Sequence, residues 1–97
     1  MPTYIALSTF TDQGIRNVKD TTKRAAAAKE AAKKHGVNMR DVFWTLGDYD
    51  VVCVLEAEDE AAITAFSITT AQQGNVRTRT LRAFSAAEMD KILAKVK

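Results

Sequence analysis

Two carboxylates one residue apart, Asp48 and Asp50, stand in the segment Leu46-Gly47-Asp48-Tyr49-Asp50. At the mouth of a cleft they would act as ligand-binding groups or as an acid–base pair, with Trp44 and Tyr49 shaping the pocket. Asp50 is the better placed, because it falls on a sheet face that a partner is expected to cover, and desolvation perturbs a carboxylate. The same residues also have a purely structural reading. Glycine takes the positive φ of a primed hairpin turn, aspartate suits the next position, and Tyr49 is then a packed ring.

Other reactive side chains are sparse. His35 is the only histidine and Cys53 the only cysteine, so neither a metal-ligand pattern nor an internal disulfide is available. His35 precedes Gly36 at the expected end of a helix, where an imidazolium suits the dipole; as a base it would serve a small-substrate enzyme. Cys53 sits in an apolar run and reads as core filling. Arg77, Arg79 and Arg82 lie in one strand-like stretch, with Arg77 and Arg79 on one face and Arg82 on the other, so they converge only in part on an anionic ligand. Pro2 invites comparison with an N-terminal proline base, but Met1 precedes it. No cofactor and no metal is called for.

The bulk composition sets bounds. Ninety-seven residues make a single domain, 1–97, with one modest core. A formal charge of +2 is too small to indicate nucleic acid or a membrane surface, and 46% apolar residues with four glycines and one proline describe an ordinary folded chain. No apolar stretch is long enough to span a bilayer and no signal peptide precedes the first strand, which sets the expectation of a cytoplasmic protein.

These candidates need elements to hold them. Tyr4 to Phe10 reads as a strand with Ile5 and Leu7 on one side, and Thr11-Asp12-Gln13-Gly14 breaks it into a short connector over Ile15 to Lys19. Asp20-Thr21-Thr22 caps a helix running to about His35, closed by Gly36. Its charged residues Lys23, Arg24, Glu30 and Lys34 cluster opposite Ala25, Ala28 and Ala32, a methyl face that lets the helix sit close to a sheet. Val37 to Leu46 and Tyr49 to Ala57 form a hairpin turning at Gly47-Asp48, with Trp44 facing Val51 and Phe43 facing Val52. A second helix starts in Glu58-Asp59-Glu60 and ends before Gly74-Asn75. Val76 to Phe84 is a fourth strand, and Ser85-Ala86-Ala87-Glu88 is a capping box opening a terminal helix. The order is βαββαβ plus a helix, the ferredoxin-like α+β pattern with an antiparallel four-stranded sheet.

Two helices cover one face of such a sheet, so the other face should alternate with polar residues. Instead Val51 to Leu55 is apolar on both sides. The hairpin pairing puts Phe43, Val52 and Val54 on the uncovered face, where leaving them wet forgoes roughly 1.5–3 kcal/mol each. The terminal helix is the only cover the chain itself offers. The second helix carries no charge from Ala61 to Val76, as though it were contacted on more than one side. Both features predict a homo-oligomer built from dimers, with Phe43, Val52 and Val54 in its interface. RNA binding, which shares this topology, is disfavoured because Asp50-Val51-Val52-Cys53-Val54 replaces the basic and aromatic signature it needs.

The chain resembles the GYD domain family over Met1 to about Ile92. The resemblance is carried by Met1-Pro2-Thr3-Tyr4, Thr11-Asp12-Gln13-Gly14-Ile15-Arg16, Leu46-Gly47-Asp48-Tyr49-Asp50 and Gly74-Asn75-Val76-Arg77-Thr78, in order and in register. It implies a ferredoxin-like domain of the dimeric α/β-barrel group, found in bacterial and archaeal proteins and without an assigned activity. The resulting expectation is an oligomeric domain binding a small molecule in a cleft between the open sheet face and the loops Thr11 to Arg16 and Gly47 to Asp50. Asp12, Arg16, Trp44, Asp48, Tyr49, Asp50 and Arg77 are its candidate contacts. A small-substrate enzyme akin to cofactor-independent monooxygenases, by fold analogy alone, and a ligand-free assembly module are the alternatives.

Overall fold

The computed structural model describes residues 1–97. Strand β1 (Thr3–Phe10) passes through α1 (Asp12–Arg16) and a 3-10 turn at Val18–Asp20 into α2 (Thr21–Lys34). Strands β2 (Val37–Trp44) and β3 (Val51–Ala57) follow, then α3 (Glu60–Gln72), β4 (Val76–Ala83) and α4 (Ala86–Leu93). The strands form one antiparallel sheet in the order β2-β3-β1-β4, the ferredoxin-like arrangement that the element order predicts. The starts of α3 and α4 follow the capping logic, whereas Asp20, at the N-cap of α2, makes no side-chain capping hydrogen bond. Asp59 accepts a hydrogen bond from the Ala62 N–H at 2.9 Å, and Ser85 and Glu88 form the reciprocal capping box of α4.

The register separates two faces. Tyr4, Ala6 and Ser8 of β1 lie in line with Leu55, Cys53 and Val51 of β3 and with Arg82, Thr80 and Thr78 of β4. This face carries the helices and holds the core of Tyr4, Val37, Met39, Leu55, Ile63 and Phe66. The opposite face presents two rows across all four strands, Phe43–Val52–Leu7–Arg79 and Asp41–Val54–Ile5–Leu81. Only 11 of 97 residues are buried, so much of the apolar surface stays outside the core of a single copy.

Three details depart from the sequence-based expectations. The hairpin does not close at Gly47-Asp48. Thr45 N–H donates to the Asp50 carbonyl at 2.9 Å, and Thr45 Oγ1 takes the Tyr49 carbonyl that a tighter turn would have offered to Leu46. Leu46 to Tyr49 therefore form a four-residue loop with Gly47 at φ +103°, and Leu46, expected on the helix side, is fully exposed. Second, the alanine face of α2 approaches the sheet closely only at its C-terminal end. Ala32 is completely buried, whereas Ala28 and Ala25 are half-exposed. Third, α4 does not cover the open face. It is tied to the end of β4 by the Arg82–Glu88 ion pair at 3.3 Å, and its Met89 and Leu93 stay exposed.

Candidate functional site

Three of the segments singled out in the sequence meet at the C-terminal end of β1. Thr11 N–H and Oγ1 donate to the carbonyls of Asn75 and Gly74, at 3.1 and 2.5 Å. Gln13 Nε2 reaches the Gln73 carbonyl at 3.0 Å and Asn75 Oδ1 at 2.9 Å. Gly14 is the pivot of this clamp, since a Cβ there would stand 2.0 Å from the Asn75 carbonyl oxygen. The third segment is tied in by Asp50, whose N–H donates to the Ser8 carbonyl at 2.9 Å and whose Oδ2 accepts from Phe10 N–H at 2.8 Å. These residue types are thus explained first by how they join α1, the β2–β3 loop and the start of β4 to one strand end.

The expected contact residues divide accordingly. Asp12, Arg16 and Asp48 are exposed, Tyr49 is half-buried, and Arg77 is exposed opposite Thr9 on the open face. Asp50 spends one carboxylate oxygen on the β1 backbone. His35 caps the C-terminus of α2, with its ring 6.2 Å from that of Phe66 and Nε2 3.4 Å from Thr69 Oγ1. It lies at the Val37–Ala57 end of the β2–β3 pair and Asp50 at the Trp44–Val51 end, about 25 Å of strand away. These two groups therefore do not form one acid–base centre. Arg82 stacks on Phe84 and Tyr4, bonds the carbonyls of Thr3 and Ala83, and pairs with Glu88. Glu88 is held below the usual carboxylate range, chiefly by the Ser85 backbone N–H and then by Arg82.

On the open face, Phe43, Val52 and Val54 join Ile5, Leu7 and Leu81 in a continuous apolar band. Phe43 and Leu81 are 56% and 49% exposed, large values for apolar side chains in one patch. The band is flanked by charges of opposite balance. Arg77 and Arg79 stand on the β4 side. On the β2–β3 side, Asp41 and Glu56 share the single cation Arg40, at 3.2 and 3.8 Å.

A cavity of about 110 Å³ lies behind the sheet, on the helix side. Among the contact residues expected from the sequence, only Trp44 lines it. Trp44 Nε1 donates to Thr21 Oγ1 at 3.0 Å, tying the end of β2 to the first residue of α2. Arg24 also lines it, although its helical position suggested the solvent side. The available signal was its i, i+4 relation to Ala28, which puts it at the margin of the alanine face. Cys53 contributes a thiol that burial pushes up.

The chain matches the GYD domain model over residues 4–93. It is 38% identical, over 92% of its length and 95% of the other protein's, to the glutamine synthetase and cystathionine beta-lyase binding protein of Thermus thermophilus. Its fold is similar to the crystal structure of TTHA0845 from the same organism, with 24% identity, a TM-score of 0.57 and coverage of 89% of this chain and 96% of that one. It is also similar to the solution structure of the C-terminal domain of the MgtC protein from Mycobacterium tuberculosis, with 12% identity, a TM-score of 0.56 and coverage of 84% and 86%. A match across nearly the whole chain, together with the relative at 38% identity, shows that this chain belongs to the GYD domain family.

Proposed function

We propose that this chain is a non-catalytic binding module that pairs with a second copy of itself through the open sheet face and whose working partners are other proteins. The observation that carries the reading is the apolar band of Ile5, Leu7, Phe43, Val52, Val54 and Leu81, which α4 leaves uncovered. A second copy fits it by charge as well as by apolarity. A two-fold axis through the band and parallel to the strands sets the basic edge of one copy, Arg77 and Arg79, against the net acidic edge of the other, where Asp41 and Glu56 outnumber Arg40. Pairing in this way leaves the helix face and α4, with Met89, Leu93 and Val96 exposed, free for a different protein.

The name of the Thermus relative makes glutamine synthetase and cystathionine beta-lyase of the source organism the first partners to test. Each purified enzyme is immobilised and titrated with the chain. Saturable binding of at least one enzyme, weakened by charge-reversing or polar changes on α4 or the helix face, supports the reading. A chain that dimerises yet binds neither enzyme would retain the assembly half of the proposal and remove these two partners from it.

Small-molecule binding is a second reading. It is favoured by one observation, the partly open space on the helix side of the sheet, and therefore applies there and not at the open face.

A further inference from the structure

The cavity has a cause in the sequence. Helix α2 rests on β2, and α3 reaches β4 as well as β2 and β3, so the pair straddles the two central strands with little contact between the helices. Beneath them the middle of the central strands offers the small side chains Ala6, Ser8 and Cys53, and α2 offers methyl groups from Ala25, Ala28 and Ala31, with Thr21 and Arg24 at its first turn. Small side chains on both layers leave a volume that no group of this chain fills. An empty space of this kind costs stability, and filling it with a ligand recovers packing contacts.

One charged group faces that space. Arg24 is held in place by carbonyls, with Nη1 donating to Asn17 at 2.6 Å and Nη2 to Gly14 at 3.2 Å, and with its guanidinium 5.9 Å from the centre of the Phe10 ring. It belongs to none of the chain's ion pairs. A guanidinium has five N–H donors, so bonds to two carbonyls fix its orientation and leave others to offer. Its positive charge, half-buried beside an apolar wall, is met only by neutral groups. An incoming anion would supply what is missing.

Resting on the small-molecule reading and adding a ligand class to it, we infer that the cavity between α2, α3 and the sheet binds a small monocarboxylate, its apolar body against Ala28, Cys53 and Phe66 and its carboxylate on Arg24. Size limits the body. A dry apolar cavity of roughly 150 Å³ accepts benzene, so about 110 Å³ suits a short branched aliphatic group or part of a single ring, with the head directed outward along Arg24.

The test uses 3-methylbutanoate, benzoate and phenylacetate, each beside its uncharged primary amide, titrated into the full chain and followed by amide chemical shifts and by the alkylation rate of Cys53. A carboxylate should bind with shifts centred on Arg24, Ala28 and Cys53 and should slow alkylation. The matching amide should bind weaker by on the order of 10- to 100-fold, the range of a charge-assisted hydrogen bond. Arg24→Gln should reduce carboxylate affinity by a similar factor and leave amide affinity nearly unchanged. Because Arg24 also ties α2 to the residues before it, Ala28→Leu provides an independent variant, filling the space without touching that tie. It should abolish binding of both ligand forms and keep or raise the melting temperature. Equal binding of acid and amide, both lost in Ala28→Leu, overturns the carboxylate assignment and leaves the small-molecule reading standing. If no probe binds, or if Ala28→Leu binds as the unmodified chain does, both are overturned.

Discussion

Replacing Phe43 with alanine tests whether the open sheet face is an interface. Phe43 is 56% exposed in a single copy, and a phenylalanine buries roughly 200 Å² when fully enclosed, so pairing would cover about 110 Å² of it. At about 25 cal/mol per Å² that area contributes close to 2.8 kcal/mol, and two-fold symmetry removes it from both copies at once. Complete coverage thus predicts a loss near 5.6 kcal/mol per dimer, and half coverage about 3 kcal/mol, so the dimer should weaken by roughly two to four powers of ten.

The fold of each copy should barely respond. Phe43 pairs only with Val52 across the edge of the sheet, and such cross-strand pairs contribute roughly 0.2–1 kcal/mol. Sedimentation equilibrium from low micromolar to near-millimolar concentration reads the association, and circular dichroism reads the fold. Dimers that persist in Phe43→Ala with undiminished affinity would show that the copies meet elsewhere. A wild-type chain that stays monomeric throughout would remove the interface altogether.

Three further outcomes follow from the geometry. Gly14→Ala drives a Cβ to 2.0 Å from a backbone oxygen, so it should cost about 3 kcal/mol and lower the melting temperature by roughly 10–20 °C; a melt within a few degrees of wild type would deny the clamp between α1 and Gln73–Asn75. Asp50→Ala removes the acceptor for Phe10 N–H and should destabilise by about 1.5–3 kcal/mol, whereas Asp50→Asn, which keeps an amide oxygen, should lose less; equal losses would place the role of Asp50 elsewhere. Glu88 has its folded pKa lowered, so its contribution to anchoring α4 is complete above the ordinary glutamate pKa and disappears as the pH falls through the lower folded value. An NMR titration should place its midpoint below that of an unstructured glutamate, and Arg82→Gln should move it upward; an unchanged midpoint in that variant would detach Arg82 from the effect.

Much of the fold was legible because its signals are local and periodic. Alternation in Tyr4 to Phe10, the capping box at Ser85 and the acidic start before Ala61 each specify an element without reference to the rest of the chain. The Trp44–Val51 and Phe43–Val52 pairings were recoverable because a turn centred on Gly47-Asp48 sets the same register as the wider loop that forms. What escaped the sequence depends on competition between distant groups. Thr45 Oγ1 outcompetes Leu46 N–H for the Tyr49 carbonyl, and Asp50 is drawn to the end of β1 by Phe10 N–H, forty positions away. Neither partner is visible in the dipeptide Gly47-Asp48, so turn chemistry predicts a tighter loop than the one that forms.

The two faces of the sheet show how one physical rule leads to opposite results. On the open side the side chains are large and the cover is missing, so apolar area projects outward in Phe43, Leu81, Ile5 and Leu7, and burial requires another molecule of matching size. On the helix side the cover is present but the side chains are small, so Ala6, Cys53 and the alanines of α2 leave space inward, and filling it requires something no larger than a single ring. An alanine face permits close packing only where the partner layer also advances. That condition holds where Ala32 is fully buried beside Val37, and fails toward Ala28 and Ala25, where the central strands carry small residues. A thin core in one copy is thus accompanied by two unsatisfied apolar surfaces of very different capacity, one suited to a protein and one to a small molecule. Because they lie on opposite sides of the same sheet, Phe43→Ala and Ala28→Leu should act independently. A strong coupling between them would mean that a ligand in the cavity alters the dimer through β3, the strand that contributes Cys53 to one surface and Val52 to the other.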